Sequence, residues 1–289
     1  MSINNERWVY QHGNHSKLVQ LSEFVMLGYD RFTKATPLSD HIHEQDYEMV
    51  YIEQGAVNWE VNGESYHTRA QQLFRTWPGE RHRASFNYIE PCTIWWIIIK
   101  DPIRCSDWFS LKGEEREQFN QILQQQPRII SVDRAIAASF RHLRRIIEST
   151  ETTLLEYQVR HYILDILLQL VRSSLTSNHS PDIHDFTISL ASRIEANPTL
   201  RLSTEQLATT FGLSESHFYR VFRETNGISP ASYMERVRMD CACRILLESS
   251  TSITDIALDL GFKTSQHFAT VFKKYIGMTP KAWRLMHKS

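Results

Sequence analysis

The chain has 289 residues, 42% hydrophobic and 22% charged, with 10 glycines, 9 prolines and 4 cysteines, a balance that excludes collagen-like, disordered and disulfide-scaffold proteins. At roughly 150 residues per domain this length implies about two domains, each large enough to bury its own core. The formal net charge of -1 conceals an asymmetry: residues 1–189 carry 19 Lys and Arg against 24 Asp and Glu, whereas residues 190–289 carry 13 against 9.

The opening MSINNERW has no basic segment followed by an apolar one, so no signal peptide is expected. The longest aliphatic-aromatic run, Ile94 to Ile99, falls far short of the ~20 residues that cross a bilayer, so no membrane span is expected. Cys92, Cys105, Cys241 and Cys243 form no C-x-x-C pair. That usage fits a reduced, cytoplasmic protein.

Six of the seven tryptophans lie in the first 108 residues, where the pattern from Phe24 to Lys100 is short Val-, Ile-, Tyr- and Trp-rich segments between turn residues. Glu48 to Ile52, Gln72 to Trp77 and Thr93 to Lys100 read as strands. Val57, Trp59 and Val61 alternate with polar residues ahead of Asn62-Gly63, the pair a two-residue type I′ hairpin needs. So many short strands favour a sandwich or small barrel. After Asp101 the period becomes helical, over Glu114–Gln124, Asp133–Glu148 and Leu154–Leu175. The last segment places Leu155, Val159, Ile163, Ile166, Leu167 and Leu170 on one stripe, which must bury either against the β domain or against a second helix in a dimer. The polar run from Ser173 to Asp182 reads as an interdomain linker.

The last ninety residues hold an internal repeat. Leu207-Ala208 and Phe211-Gly212 recur as Ile256-Ala257 and Leu260-Gly261, and Phe218, Phe222, Gly227 and Pro230 recur as Phe268, Phe272, Gly277 and Pro280. Each copy reads as helix, glycine turn, helix: Ser203 and Ser214 are N-cap candidates, Phe218 and Phe222 face inward, and polar residues remain outside. This is the pattern of a helix-turn-helix, whose second helix enters the DNA major groove. Two copies in a basic segment point to DNA binding.

These residues, with Arg238, Ala242, Leu246-Leu247, Ile253, Phe262, Lys273, Thr279-Pro280 and Trp283-Arg284, resemble the AraC/XylS family of transcription regulators over residues 186 to 289. The resemblance implies two helix-turn-helix units joined by a helix over about Pro230 to Leu247. It places base-reading positions at Ser216, Tyr219 and Arg220 on the first recognition helix and at Ser265, Gln266, Ala269 and Thr270 on the second. Arg220 suits guanine and Gln266 adenine. Arg223, Lys273 and Lys274 are candidate phosphate contacts, which position without specifying.

In the β part, His41-x-His43-x4-Glu48 followed by Gly55, with Pro78-Gly79-Glu80-Arg81-His82 further on, resembles the cupin pattern, in which three histidines and a glutamate bind a divalent metal. Two imidazoles plus a carboxylate suit Fe, Mn, Ni or Zn. The alternative is that His41, His43 and His82 line a ligand pocket or are hydrogen-bonded inside the barrel. Trp59, Trp77 and Trp95 join His41, His43, Glu48 and His82 as candidate effector-pocket residues, because indole faces suit the C–H faces of sugars; core packing is the competing explanation.

The sequence is therefore read as an α+β protein: a cupin-like β-barrel over 1–110, a helical dimerisation segment over 111–175, a linker over 176–185 and an all-α double helix-turn-helix domain over 186–289. The expected function is transcription regulation, as an activator under a small-molecule effector, with a sugar as the candidate. The expected partners are double-stranded DNA, RNA polymerase and a second copy of the chain. No catalysis and no obligatory cofactor are expected, a divalent metal at the histidines being the one candidate. Two alternatives remain: a metal-dependent cupin enzyme fused to a DNA-binding domain, and a ligand-independent DNA-binding dimer.

Overall fold

The computed structural model describes residues 5–13, 18, 20–150, 153–175, 186, 189–190, 193–194, 196–197, 199–226 and 228–287. The chain divides into two compact units. The first comprises Met1–Arg31, Ser39–Ser85 and Cys92–Asn178; the second comprises Phe32–Leu38, Phe86–Pro91 and His179–Ser289. The expected linker, 176–185, lies outside the described residues.

In chain order the strands are β1 (Glu6–Gln11), β2 (Phe24–Arg31), β3 (Thr36–Pro37), β4 (His41–Ile42), β5 (Asp46–Val61), β6 (Glu64–Arg69), β7 (Gln72–Thr76), β8 (Arg81–Ala84), β9 (Tyr88–Ile89), β10 (Cys92–Lys100) and β11 (Ile129–Ser131). In the first unit β1-β2-β10-β5-β7-β11 lie side by side, β6 and β8 pair with β5, and β4 pairs with β8. The two segments expected as Glu48–Ile52 and Val57–Val61 are one 16-residue strand, β5. Its first half pairs with β10 and β7 and its second half with β6 and β8. Gly55, at φ 86°, marks the corner, and the β10 partner shifts register between Thr93 and Ile94, as a strand that turns from one sheet surface to another requires. Asn62 and Gly63 take φ 51° and 87° in the expected hairpin.

Pleat alternation divides β5 and β10 between two faces. Tyr47, Met49 and Tyr51, with Trp95 and Ile97, face a core completed by three helices: α1 (Gly113–Gln125), α2 (Ala135–Glu148) and α3 (Leu155–Leu175). The α3 stripe of Leu155, Val159, Ile163, Ile166, Leu167 and Leu170 is buried in that same core with Phe140 and Leu143 of α2. Its partner is thus the β layer and α2 of its own chain. Glu48, Val50 and Ile52 occupy the other face of β5, where Val50 is registered with Trp96 and Phe74.

In the second unit β3 and β9 pair as a two-stranded ribbon. The helices are α4 (Thr204–Thr210), α5 (Glu215–Asn226), α6 (Pro230–Glu248), α7 (Ile253–Asp259), α8 (Ser265–Ile276) and α9 (Pro280–His287). Ser203 opens α4 with a reciprocal capping box: the Gln206 amide N–H donates to its Oγ at 3.1 Å, and its own N–H donates to Gln206 Oε1 at 2.9 Å. Helix α6 serves two cores. Met234 and Val237 join Leu207, Phe218 and Phe222, whereas Met239, Ala242 and Leu246 join Ile256, Phe268, Phe272 and Trp283. At 1.5 Å per residue its 19 residues span roughly 28 Å, approaching the ~34 Å helical repeat of DNA.

Candidate metal centre and nucleic-acid interface

The structure brings His41, His43, Glu48 and His82 together: four ligand-type atoms, one from each, lie within 4.8 Å of one another. β4 and β8 place His41 opposite His82, and Glu48 comes from β5. All three Nε2 atoms approach Glu48 Oε2, at 2.6 Å from His82, 3.6 Å from His43 and 3.8 Å from His41. Ligands bound 2.0–2.2 Å from a shared ion lie roughly 3–4 Å apart; the His43 and His41 separations are of that size, while the 2.6 Å contact between His82 and Glu48 is a direct hydrogen bond that a bound ion would replace.

The arrangement behind the donors has the same character. His41 Nδ1 lies 2.9 Å from the Ser39 carbonyl and His82 Nδ1 lies 3.0 Å from the Glu80 carbonyl. Each carbonyl accepts a hydrogen bond from Nδ1–H and so turns Nε2 toward Glu48, the second-shell arrangement of metal-bound histidines. His43 Nε2 is buried and has no hydrogen-bond partner. A buried acceptor left unmatched costs free energy that a cation would recover. The residues present therefore fit a divalent metal.

Electrostatics agree. Burial pushes the Glu48 carboxyl up, but interactions with His41 and His82 outweigh it and hold the group well below the usual carboxylate range. The interaction with Glu48 raises His41 against the opposing effect of burial, and burial lowers His43. The loop that leads into β8 and His82 is braced: Arg128 donates to both Glu80 carboxylate oxygens at 2.8 Å, and Gly79 N donates to the His43 carbonyl at 2.8 Å.

Among the tryptophans, Trp59 is buried on the Glu48 side of the sheet, stacked on Phe74 at 4.7 Å. Trp77 and Trp95 are not brought to the histidines. Trp95 has the opposite pleat parity on β10 from the residues facing Glu48, and it packs on Phe140 of α2 and on Tyr29. Trp77 lies between the Arg75 and Arg128 guanidinium groups, 4.5 and 4.4 Å from their carbons. For Trp95 the reason is the period of two along a strand, which counting aromatic residues does not capture. The Ser39 and Glu80 carbonyls carry no sequence signal, because a backbone acceptor is the same at every residue.

In the second unit, the glycine turns at Gly212 and Gly261 take φ 63° and 76°. Thr264 Oγ1 accepts from His267 N at 3.1 Å and Ser214 Oγ from His217 N at 3.3 Å, so the second helix after each glycine turn, α5 and α8, begins on a side-chain cap. Phe218 and Phe222, like Phe268 and Phe272, are fully buried. The opposite faces are thereby presented outward: Ser216, Tyr219, Arg220, Arg223, Gln266, Thr270, Lys273 and Lys274 are exposed, and Ser265 and Ala269 half-buried. Lys274 also approaches Glu235 at 3.8 Å, an exposed pair of little energetic weight. Among the described residues no helix is long and apolar enough to cross a membrane.

Comparison with known proteins gives the same two modules. A family model described as a helix-turn-helix domain matches residues 207–286, and one described as a cupin domain matches residues 33–98. The transcriptional activator AarP of Providencia stuartii is 38% identical over 92 residues, covering 32% of this chain and 68% of that protein. The lactose operon transcription activator of Staphylococcus xylosus is 23% identical over 241 residues, 81% of each chain. A solved transcriptional regulator from Chromobacterium violaceum, with an AraC-type DNA-binding domain, is 30% identical and covers 36% of this chain and 94% of that one, with a TM-score of 0.33. Two further curated relatives are spanned over about half their length, 45% and 55%. The chain belongs to the AraC/XylS family of DNA-binding transcription regulators and carries a cupin domain ahead of its helix-turn-helix units.

Proposed function

We propose that the chain is an effector-controlled transcription activator whose cupin unit senses through a divalent metal held by His41, His43, Glu48 and His82. One observation carries this reading: three Nε2 atoms, two of them fixed by backbone carbonyls, converge on one buried carboxylate. A bound divalent ion supplies a Lewis-acid point for an oxygen-donor effector, such as a sugar or sugar acid. The lactose operon activator among the relatives supports the sugar class. Trp59, on the same face of the sheet, is the tryptophan assigned to the effector site.

On the DNA side, Ser216, Tyr219 and Arg220 of α5 and Ser265, Gln266, Ala269 and Thr270 of α8 read base edges, while Arg223, Lys273 and Lys274 hold phosphates. Activation implies a contact with RNA polymerase. The second copy in a homodimer would sit on the outer face of α3, where Tyr157, His161 and Leu168 are exposed at helical spacing. The chain is not assigned a catalytic role. A second reading, turnover at the metal, is favoured by the partial exposure of His41 and His43, which gives a small molecule access.

The test is thermal unfolding of the full-length chain with Mn²⁺, Fe²⁺, Ni²⁺ or Zn²⁺, alone and with a panel of sugars and sugar acids. A saturable metal shift, enlarged by one compound that is recovered unchanged, supports the sensor. Conversion of the compound supports the enzyme, and no metal shift with any ion contradicts both.

A further inference from the structure

Two short segments of the second unit, Phe32–Leu38 and Phe86–Pro91, cluster with the helix-turn-helix residues although more than a hundred residues separate them from those helices in sequence. They pair as the β3–β9 ribbon, Thr36 with Ile89 and Pro37 with Tyr88, and Leu38 N donates to the Asn87 carbonyl at 2.9 Å. Three contacts fasten the ribbon. Arg236 of α6 donates from Nε to Glu90 Oε2 at 2.6 Å and from Nη2 to Glu90 Oε1 at 3.4 Å, in a pair whose side chains are only 7% and 12% exposed. The Ala35 amide donates to the Lys274 carbonyl at the end of α8, at 2.7 Å. The Tyr88 ring lies against Gly277, the left-handed C-cap of α8, so closely that a Cβ at that position would collide with it.

The ribbon thus grips both the bridging helix α6 and the second recognition helix α8. Its contacts with α8, at Lys274 and Gly277, are at the C-terminal end of that helix, whereas Ser265, Gln266, Ala269 and Thr270, the positions assigned to base reading, lie in its first half. At its other side the chain runs straight into the metal quartet. Residues 38–40 join β3 to His41 of β4, and residues 85–87 join β8, which carries His82, to β9. Three-residue links reach only about 10 Å, and Arg81–Asp40, at 3.0 Å, ties one to the partner strand.

We propose that the β3–β9 ribbon couples the quartet to DNA: loading of His41, His43, Glu48 and His82 sets the position of the ribbon, and the ribbon sets the orientation of α8 relative to α6. This rests on the metal reading of the quartet. A ligand shifts such an equilibrium only by its different affinity for the two arrangements. Here the difference arises because His41 and His82 sit on paired strands whose outgoing links are the two arms of the ribbon. Glu90 and Tyr88 are the residues that transmit the change, and neither belongs to the quartet or to the base-reading set.

The test uses the full-length chain, Zn²⁺ as the probe, and a duplex selected from random sequence by the wild-type chain. Zinc affinity is measured by competition with a chelating dye, and DNA affinity with zinc and with chelator, for wild type, Glu90→Gln and Tyr88→Ser. The wild-type Kd for DNA changes at least fivefold on zinc loading, the lower end of ordinary allosteric coupling. Both variants bind zinc within twofold of wild type, while their zinc-dependent DNA ratio falls to near one. If Glu90→Gln unfolds the second helix-turn-helix by stranding Arg236, Tyr88→Ser, which removes only a ring, still decides the question. Variants that keep the wild-type ratio overturn the ribbon's role, as does a wild-type chain that binds zinc with unchanged DNA affinity; both results leave the metal site standing. A chain that binds no zinc overturns the metal reading and this coupling with it.

Discussion

Replacing Glu48 by glutamine keeps the shape of the side chain and removes the charge around which three imidazoles gather. The carboxylate is 12% exposed and its Oε2 contacts His82 at 2.6 Å, with His43 and His41 at 3.6 and 3.8 Å. A hydrogen bond to a charged group contributes about 1.5–3 kcal/mol, and for a unit of this size each kcal/mol moves Tm by about 2–4 °C. In chelator the first unit of Glu48→Gln therefore unfolds roughly 3–12 °C below wild type. With zinc at a hundred times its Kd, wild type gains about 2.7 kcal/mol. Losing even a second-shell partner weakens metal binding 10–100-fold, and loss of a direct donor costs no less. At the same zinc concentration most of the gain disappears in the variant. Scanning calorimetry with chelator and with zinc measures both quantities. A variant with the wild-type Tm in chelator and the wild-type zinc shift would refute the convergence argument.

The quartet also predicts a pH signature. Glu48 is held below its usual range, so its contribution is complete above the unfolded value of about 4.3 and is lost as pH falls. His41 is raised, so its contribution is complete below about 6.5 and is lost as pH rises through the folded value. In chelator these two groups favour the first unit most between those limits, whereas the zinc-dependent gain grows from about pH 6 to 8 because zinc needs unprotonated imidazoles; a zinc gain that stays flat over that range contradicts the assignment. Arg220→Ala should cost about 1–3 kcal/mol on the preferred duplex and relax one base position, while Lys273→Ala should weaken all duplexes alike and lower the salt slope by about one; equal losses on specific and random DNA for Arg220→Ala remove its base-reading role. Trp283 is fully buried against Phe272 and His287, so Trp283→Ala should destabilise the second helix-turn-helix by about 3–5 kcal/mol in urea unfolding, and a loss below about 1 kcal/mol would show that its core closes around the gap.

The parts of the molecule that were legible in the sequence are those where physics acts over a few residues. Ser203 with Gln206, the glycines at 212 and 261, the Phe218–Phe222 and Phe268–Phe272 pairs and the Asn62-Gly63 turn each encode a local geometry, and the repeat states it twice. The His41-x-His43-x4-Glu48 spacing is also local, and its four donors do meet in space. Other features depend on distance along the chain. β11 is three residues long and is a strand only because β7 offers an edge. β5 is one strand instead of two because the chain turns a corner at Gly55 without ending its pairing. Trp95 faces helices rather than a pocket because its pleat parity is set relative to Tyr51 and Glu48. Glu90 and Arg236, 146 positions apart, have no signature at all until the ribbon is folded.

The most direct measurement is a hydroxyl-radical footprint of the full-length chain on its selected duplex, with zinc and with chelator. Two protected segments about one helical turn apart, with protection under the second changing on zinc loading, are the predicted result. A single protected segment, or two that are indifferent to zinc, would contradict control of the DNA-binding unit by the histidine quartet.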